Sequence, residues 1–189
     1  MTHWLIIIGA SVYGRSLTRA AARSGWNVAL WSEDGGGEAW AAEARALGRE
    51  CHIAVNADGA AAALEQVAGA IDQASAFVHC PSPSRDRVTL IAECTALTQA
   101  FARMQNGAKG AVVNYLDDAA TTEALARTHA PALRVSAVAS VPALPSMPLH
   151  HANQPASPED LAEAALFLLG ANAVTGQTLH VVSRSLAAT

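Results

Sequence analysis

Short unbroken apolar runs alternate with longer, Ala-rich stretches of helical period along this chain. Residues 4–8, 27–31, 51–55, 74–79, 111–115, 133–138 and 179–182 are too short and too rich in β-branched positions for helices. They predict strands buried on both faces. Residues 16–24, 38–47, 60–71, 87–104, 118–128 and 158–169 predict helices. The punctuation agrees: Gly25 and Gly48 follow two helical stretches, and Ser157-Pro158 opens the last as N-cap and first-turn proline. Gly9 to Gly14 reads as a tight connection, and the stretch from Ser140 to Ala156, with Pro142, Pro145, Pro148 and Pro155, reads as a loop.

Strand–helix alternation of this kind predicts an α/β fold: a Rossmann-like, doubly wound parallel sheet of about seven strands, helices on both faces, in a single domain over residues 1–189. Composition agrees. Of 189 residues, 51% are hydrophobic and 15% charged, which excludes a disordered chain. The 44 alanines favour close-packed helices over an all-β fold. No apolar run is long enough to span a membrane, and the first residues do not read as a signal peptide, so a cytoplasmic protein is expected. A net charge of −4 with scattered basic residues gives no nucleic-acid surface. Cys51, Cys80 and Cys94 form no CxxC pattern and are expected to be buried free thiols. His150-His151 has no helix-spaced partner, so no metal is expected.

In an open α/β sheet, ligands bind at the carboxyl ends of the strands. There Gly9, Ser11, Tyr13, Gly14 and Arg15 lead into a helix N-terminus, where free amides suit a pyrophosphate; the alternative is a turn that binds nothing. Arg15 either meets a phosphate or lies on a solvated helix face. Ser32, Glu33 and Asp34 follow the second strand. A carboxylate there suits a ribose diol and repels a 2′-phosphate, so NAD is favoured over NADP. Asp58 and Gly59 follow the third strand, where an aspartate accepts from an adenine amino group, caps a helix, or both. His79 and Cys80 are adjacent on a strand and point to opposite faces, which argues against a nucleophilic pair.

These residues resemble the short-chain dehydrogenase/reductase family over almost the whole chain. Ile8-Gly9-Ala10-Ser11 with Gly14-Arg15-Ser16-Leu17 is similar to the family's glycine-rich start, and Asn56-Ala57-Asp58 to its adenine-side motif. Gly110 to Asn114 is similar to its fifth strand, and Glu123 to Val138 to the stretch that joins helix five to strand six. The best match is Ser157-Pro-Glu-Asp-Leu-Ala-Glu-Ala-Ala-Leu-Phe-Leu-Leu followed by Thr175-Gly-Gln-Thr-Leu-His-Val181. The resemblance implies a Rossmann fold, NAD(P)-dependent oxidoreduction, and oligomers built through helices four and five and the last helix and strand.

The departures concern chemistry. His79-Cys-Pro-Ser82 replaces the family's Asn-Asn-Ala-Gly, Leu90 falls at its structural asparagine, and Leu116 or Asp117 at its serine. Its catalytic Tyr-x-x-x-Lys pair needs both residues on one helix face. Four residues beyond Tyr13 is Leu17, four beyond Tyr115 is Ala119, and the single lysine is Lys109. The family's catalytic set is therefore absent, and the missing length maps between Asp117 and Thr122. Three functions remain. The first is a non-catalytic subunit, self-associating or paired with a full-length relative through a helix carrying Ala92, Ala96, Ala100 and Ala102. The second is an oxidoreductase with an altered site, its proton supplied by Tyr115, Asp117, Asp118 or His79. The third is a dinucleotide sensor.

Overall fold

The computed structural model describes residues 3–9, 11–140 and 156–182. The predicted loop from Ser140 to Ala156, with His150 and His151, lies almost entirely outside these. The strands are β1 (Trp4–Gly9), β2 (Asn27–Ser32), β3 (Cys51–Ile53), β4 (Ala74–Cys80), β5 (Gly110–Tyr115), β6 (Leu133–Ser140) and β7 (Thr178–Val181). The helices are α1 (Ser11–Arg23), α2 (Gly37–Ala46), α3 (Ala60–Gly69), α4 (Arg87–Met104), α5 (Ala119–His129) and α6 (Pro158–Gly170). The sheet has the order β3-β2-β1-β4-β5-β6-β7, and every neighbouring pair is parallel. The strand order reverses beside β1, the switch point at which such sheets bind ligands.

Two apolar layers follow from the period of two along β1. Leu5 and Ile7 face the layer that holds Leu17 of α1, Trp40 of α2 and Leu161 of α6. Trp4, Ile6 and Ile8 face Leu64 of α3, Leu97 and Phe101 of α4, and Leu125 of α5. Ser157 caps α6 as its sequence predicts, in a reciprocal box with Asp160.

One prediction is corrected. Residues from Ser11 onward are already helical, so α1 starts five residues before the expected Ser16. Gly14 is no turn residue. It lies inside α1, where an added Cβ would sit 2.4 Å from the Trp40 ring. Tertiary contact with α2 has overridden the weak helix propensity of glycine. Gly14→Ala is expected to gain about 1 kcal/mol of helix propensity and to lose about 1–3 kcal/mol to overpacking. A net fall in the urea midpoint at unchanged slope is the expected result.

Candidate functional site at the carboxyl ends of the strands

Arg85, in the β4–α4 connection, is the centre of charge at the switch point. Its guanidinium pairs with Glu33, just past β2, and with Glu93 of α4. The hydrogen bond to Glu93, more than any other interaction, pushes the Arg85 pKa further up. The same Glu93 carboxylate stands 3.7 Å from His79 Nε2 at the end of β4. On its other side, His79 Nδ1 lies 3.3 Å from Cys94 Sγ. Glu33, Arg85, Glu93, His79 and Cys94 thus form a continuous polar chain from β2 to α4.

Its inner end is dry and unreactive. His79 is 1% exposed. Burial and the nearby Arg85 charge push its pKa down to about 3, so the imidazole is neutral. A carboxylate at 3.7 Å would ordinarily favour an imidazolium. Here Arg85 has already neutralised Glu93, and desolvation decides. Burial and the Glu93 charge push the Cys94 thiol up to about 12, which removes it as a nucleophile at neutral pH. Cys80 is buried as well, its thiol pushed up to about 12 by desolvation, while Cys51 is only half-buried. The expectation of buried thiols therefore holds for two cysteines of three.

A second cluster lies toward β5 and β6. The rings of Tyr13 and Tyr115 meet at a tilt of 44°, with centroids 5.4 Å apart. Tyr115 is 8% exposed, and its hydroxyl has no hydrogen-bond partner among the described residues. Burial raises its pKa well above the usual phenol value, with smaller contributions from Cys80 and Tyr13. Tyr13, Tyr115 and Asp117 line one cavity of about 230 Å³, together with Arg85. Glu33, Asp34, Ser82, Ser84 and Arg85 line another of about 220 Å³. Arg85 belongs to both, so it divides the trough along the carboxyl ends.

The remaining predicted residues have structural partners. Gly9 packs against β4, and Gly14 against Trp40. Ser11 opens α1. Arg15 bonds Glu43 of α2, with Nε–Oε1 at 2.8 Å, and Arg19 bonds the other oxygen. Ser32 Oγ donates to Asp34 Oδ1 at 2.5 Å and accepts from the Gly36 amide at 3.1 Å, which closes the turn after β2. Asp58 is exposed and caps nothing; the N-cap of α3 is Gly59, with φ at +89°. Asp118 caps α5 by accepting from the Thr121 amide and pairs with Arg87, so its pKa is held low by the Thr121 amide first and Arg87 second. Asp117 is exposed, 4.0 Å from His180 of β7. Lys109 precedes β5, at the opposite end of the sheet from the tyrosines. Among the described residues no three His, Cys, Asp or Glu side chains converge as metal ligands, and no helix is long and apolar enough to cross a membrane.

Arg85 and Glu93 escape sequence reasoning, and Cys94 is foreseen only as a buried thiol, not as the partner of His79. Arg85 sits in a loop that carries no periodic signal, and Glu93 and Cys94 follow His79 by more than a dozen positions. Helical phase alone places Cys94 on the sheet-facing side of α4, which was the one available clue.

No family model and no curated protein matches this sequence. Solved structures do. An acetoin dehydrogenase from Enterobacter cloacae superposes with a TM-score of 0.76 at 18% identity, over 96% of this chain and 94% of that one. A protein from Sinorhizobium meliloti 1021, provisionally assigned as a short-chain dehydrogenase/reductase, gives 0.69 at 18% over 95% of both chains. The chain has the Rossmann-like fold of these dehydrogenases. An NADH-dependent reductase, A1-R′, solved with NAD, gives 0.66 at 16% over 96% of this chain and 95% of that one. At such identities the likeness concerns fold alone; function must be argued from the site.

Proposed function

We propose that this chain is a non-catalytic, dehydrogenase-like subunit that works by association, either with itself or with a full-length relative, in the cytoplasm. One observation carries the reading: an ion-paired arginine bridges the trough in which a dinucleotide would lie. Arg85 spans from Glu33 to Glu93 across it. The carboxylate that would take a ribose diol is thereby already paired. No tyrosine has a lysine one helical turn away, and Lys109 stands at the far end of the sheet.

The surfaces suit association. On α4, Val88 is 79% exposed, and Ala92 and Ala96 are exposed on the same stripe, while Ala100 and Ala102 are half-buried. On α6, Phe167 is 63% exposed. Among the described residues β7 is the last strand of the sheet, beside half-buried Leu179 and Val181, a surface that folded chains ordinarily cover.

A second reading, NAD-linked oxidoreduction with Tyr115 or Asp117 as proton donor, is favoured by Glu33 at the end of β2 and by the cavity the two candidates share. Titration with NADH and NADPH, followed by Trp fluorescence and thermal shift, separates the readings. Trp31 at the end of β2 is a built-in reporter. The expected result is no saturable binding up to about 1 mM, a Kd weaker than about −4 kcal/mol of affinity, together with a dimer or larger species by light scattering. Saturable binding, tighter for NADH, would transfer the weight to the second reading. A lone monomer, unchanged when a full-length relative is added, would overturn the first.

A further inference from the structure

A sizeable cavity bounded by described residues lies at the other end of the sheet. It measures about 500 Å³ and is framed by the amino ends of β1, β4, β5 and β6, the turn before β2, and the end of α6. That volume is within the usual range for small-molecule sites.

Its charge is one-sided. Lys109 and Arg134 line it, and none of its 12 lining residues is acidic. Lys109 is exposed and forms no ion pair or hydrogen bond with other described residues. Arg134 projects from β6 and is half-buried. It donates to the carbonyls of Leu168, Leu169 and Ala171 at the end of α6, at 3.1, 2.7 and 2.9 Å. A guanidinium has five N–H donors, so two remain after these three bonds. The carbonyls offset only part of a unit charge, because a helix C-terminus amounts to about half of one. Two cations therefore line one space with no carboxylate among its described lining residues. Desolvation lowers the Arg134 pKa, in keeping with a cation that has no acidic partner among the described residues.

The walls supply an apolar surface. Trp26 packs edge-on against His3 with centroids 5.9 Å apart, and Leu169 contributes an aliphatic wall. A purely inorganic ion would leave these surfaces uncovered. Ser75 adds a hydroxyl, already donating to the Trp4 carbonyl at 3.5 Å, whose oxygen still accepts.

We propose that this cavity binds a small organic anion, a carboxylate or phosphate monoester on an apolar body, with its charged head at Lys109 and Arg134. The site is independent of the trough at the carboxyl ends and does not rest on the function proposed for it. Its location is unusual for the fold, whose switch-point site lies at the opposite end of the strands.

Benzoate and phenyl phosphate are the probes, each titrated separately, with benzamide as the neutral counterpart. Binding is read by Trp fluorescence and by the indole N–H resonances in NMR. At least one anion is expected to saturate, with benzamide weaker by at least about tenfold, as for loss of a charge-assisted contact. The tighter anion identifies the head group. Lys109→Met is expected to weaken that anion by about tenfold with unchanged Tm and unchanged oligomeric size. The proposal is overturned if neither anion saturates by about 10 mM, if benzamide binds as well as the anions, or if Lys109→Met leaves affinity unchanged.

Discussion

Gly9→Ala is expected to lower the unfolding free energy by about 3 kcal/mol, at the upper end for overpacking. The cause is the sheet itself. Gly9 pairs in register with Cys80 on the neighbouring parallel strand. A Cβ at Gly9 would lie 2.0 Å from the Cys80 carbonyl oxygen and 2.9 Å from its sulfur. Backbone cannot rotate away as a side-chain tip can, so β1 or β4 must move. Both are central strands with fully buried Ile7, Ile8, Phe77 and Val78. A shift would also break the backbone bond from the Glu33 amide to the Gly9 carbonyl, 2.9 Å long, which holds the turn carrying Glu33 and Arg85's partner carboxylate. Equilibrium urea unfolding measures the effect. A change below about 0.5 kcal/mol, the range of ordinary surface substitutions, would contradict the packing account and return Gly9 to a role in ligand approach.

Gly9 and Gly14 show where sequence reading succeeds and where it stops. Their presence is explained by packing, Gly9 against β4 and Gly14 against Trp40. A sequence shows a glycine but not the partner that requires it. Placing Gly14 in a tight connection followed from local propensity, and contact with Trp40 of α2, 26 residues on in sequence, overrules it. Elsewhere local and global signals agree. The strands were legible because apolar runs such as Trp4 to Ile8 have no polar face to hide, and α6 because Ser157-Pro158 states both its cap and its first turn. The site was legible only in outline. Glu33 was placed correctly past β2, but its partner Arg85 lies 52 residues on, in a connection whose path depends on where α4 docks.

His79 and Cys94 make the same point from inside the core. The strand pattern separated His79 from Cys80, but only the packing of α4 on β4 supplies the thiol that meets the imidazole. Burial of the same imidazole, reinforced by the Arg85 charge, gives a large expected pH effect. The ordinary value of 6.5 applies to the unfolded chain, and about 3 to the folded one. The unfolded state therefore binds the proton more tightly. Stability conferred by neutral His79 is complete above pH 6.5 and is lost as pH falls toward 3. Each pH unit in that window costs about 1.4 kcal/mol, so at pH 5 the loss is about 2 kcal/mol. The charges around the ring do not reverse the sign: Glu93 favours the proton, but its carboxylate is bound by Arg85, which opposes it. Carboxylates held low in the fold, such as Glu43 and Asp118, also lose their contribution in acid, but only below their unfolded values of 4.5 and 3.8. The interval from pH 6.5 to 5 is thus a window on His79. Urea unfolding of the protein and of His79→Gln at pH 7, 6 and 5 measures it. The variant starts less stable at pH 7, because the Cys94 contact is gone, and its stability is expected to fall by about 2 kcal/mol less over this range. Parallel slopes for the two proteins would mean that His79 titrates normally and that water reaches the end of β4.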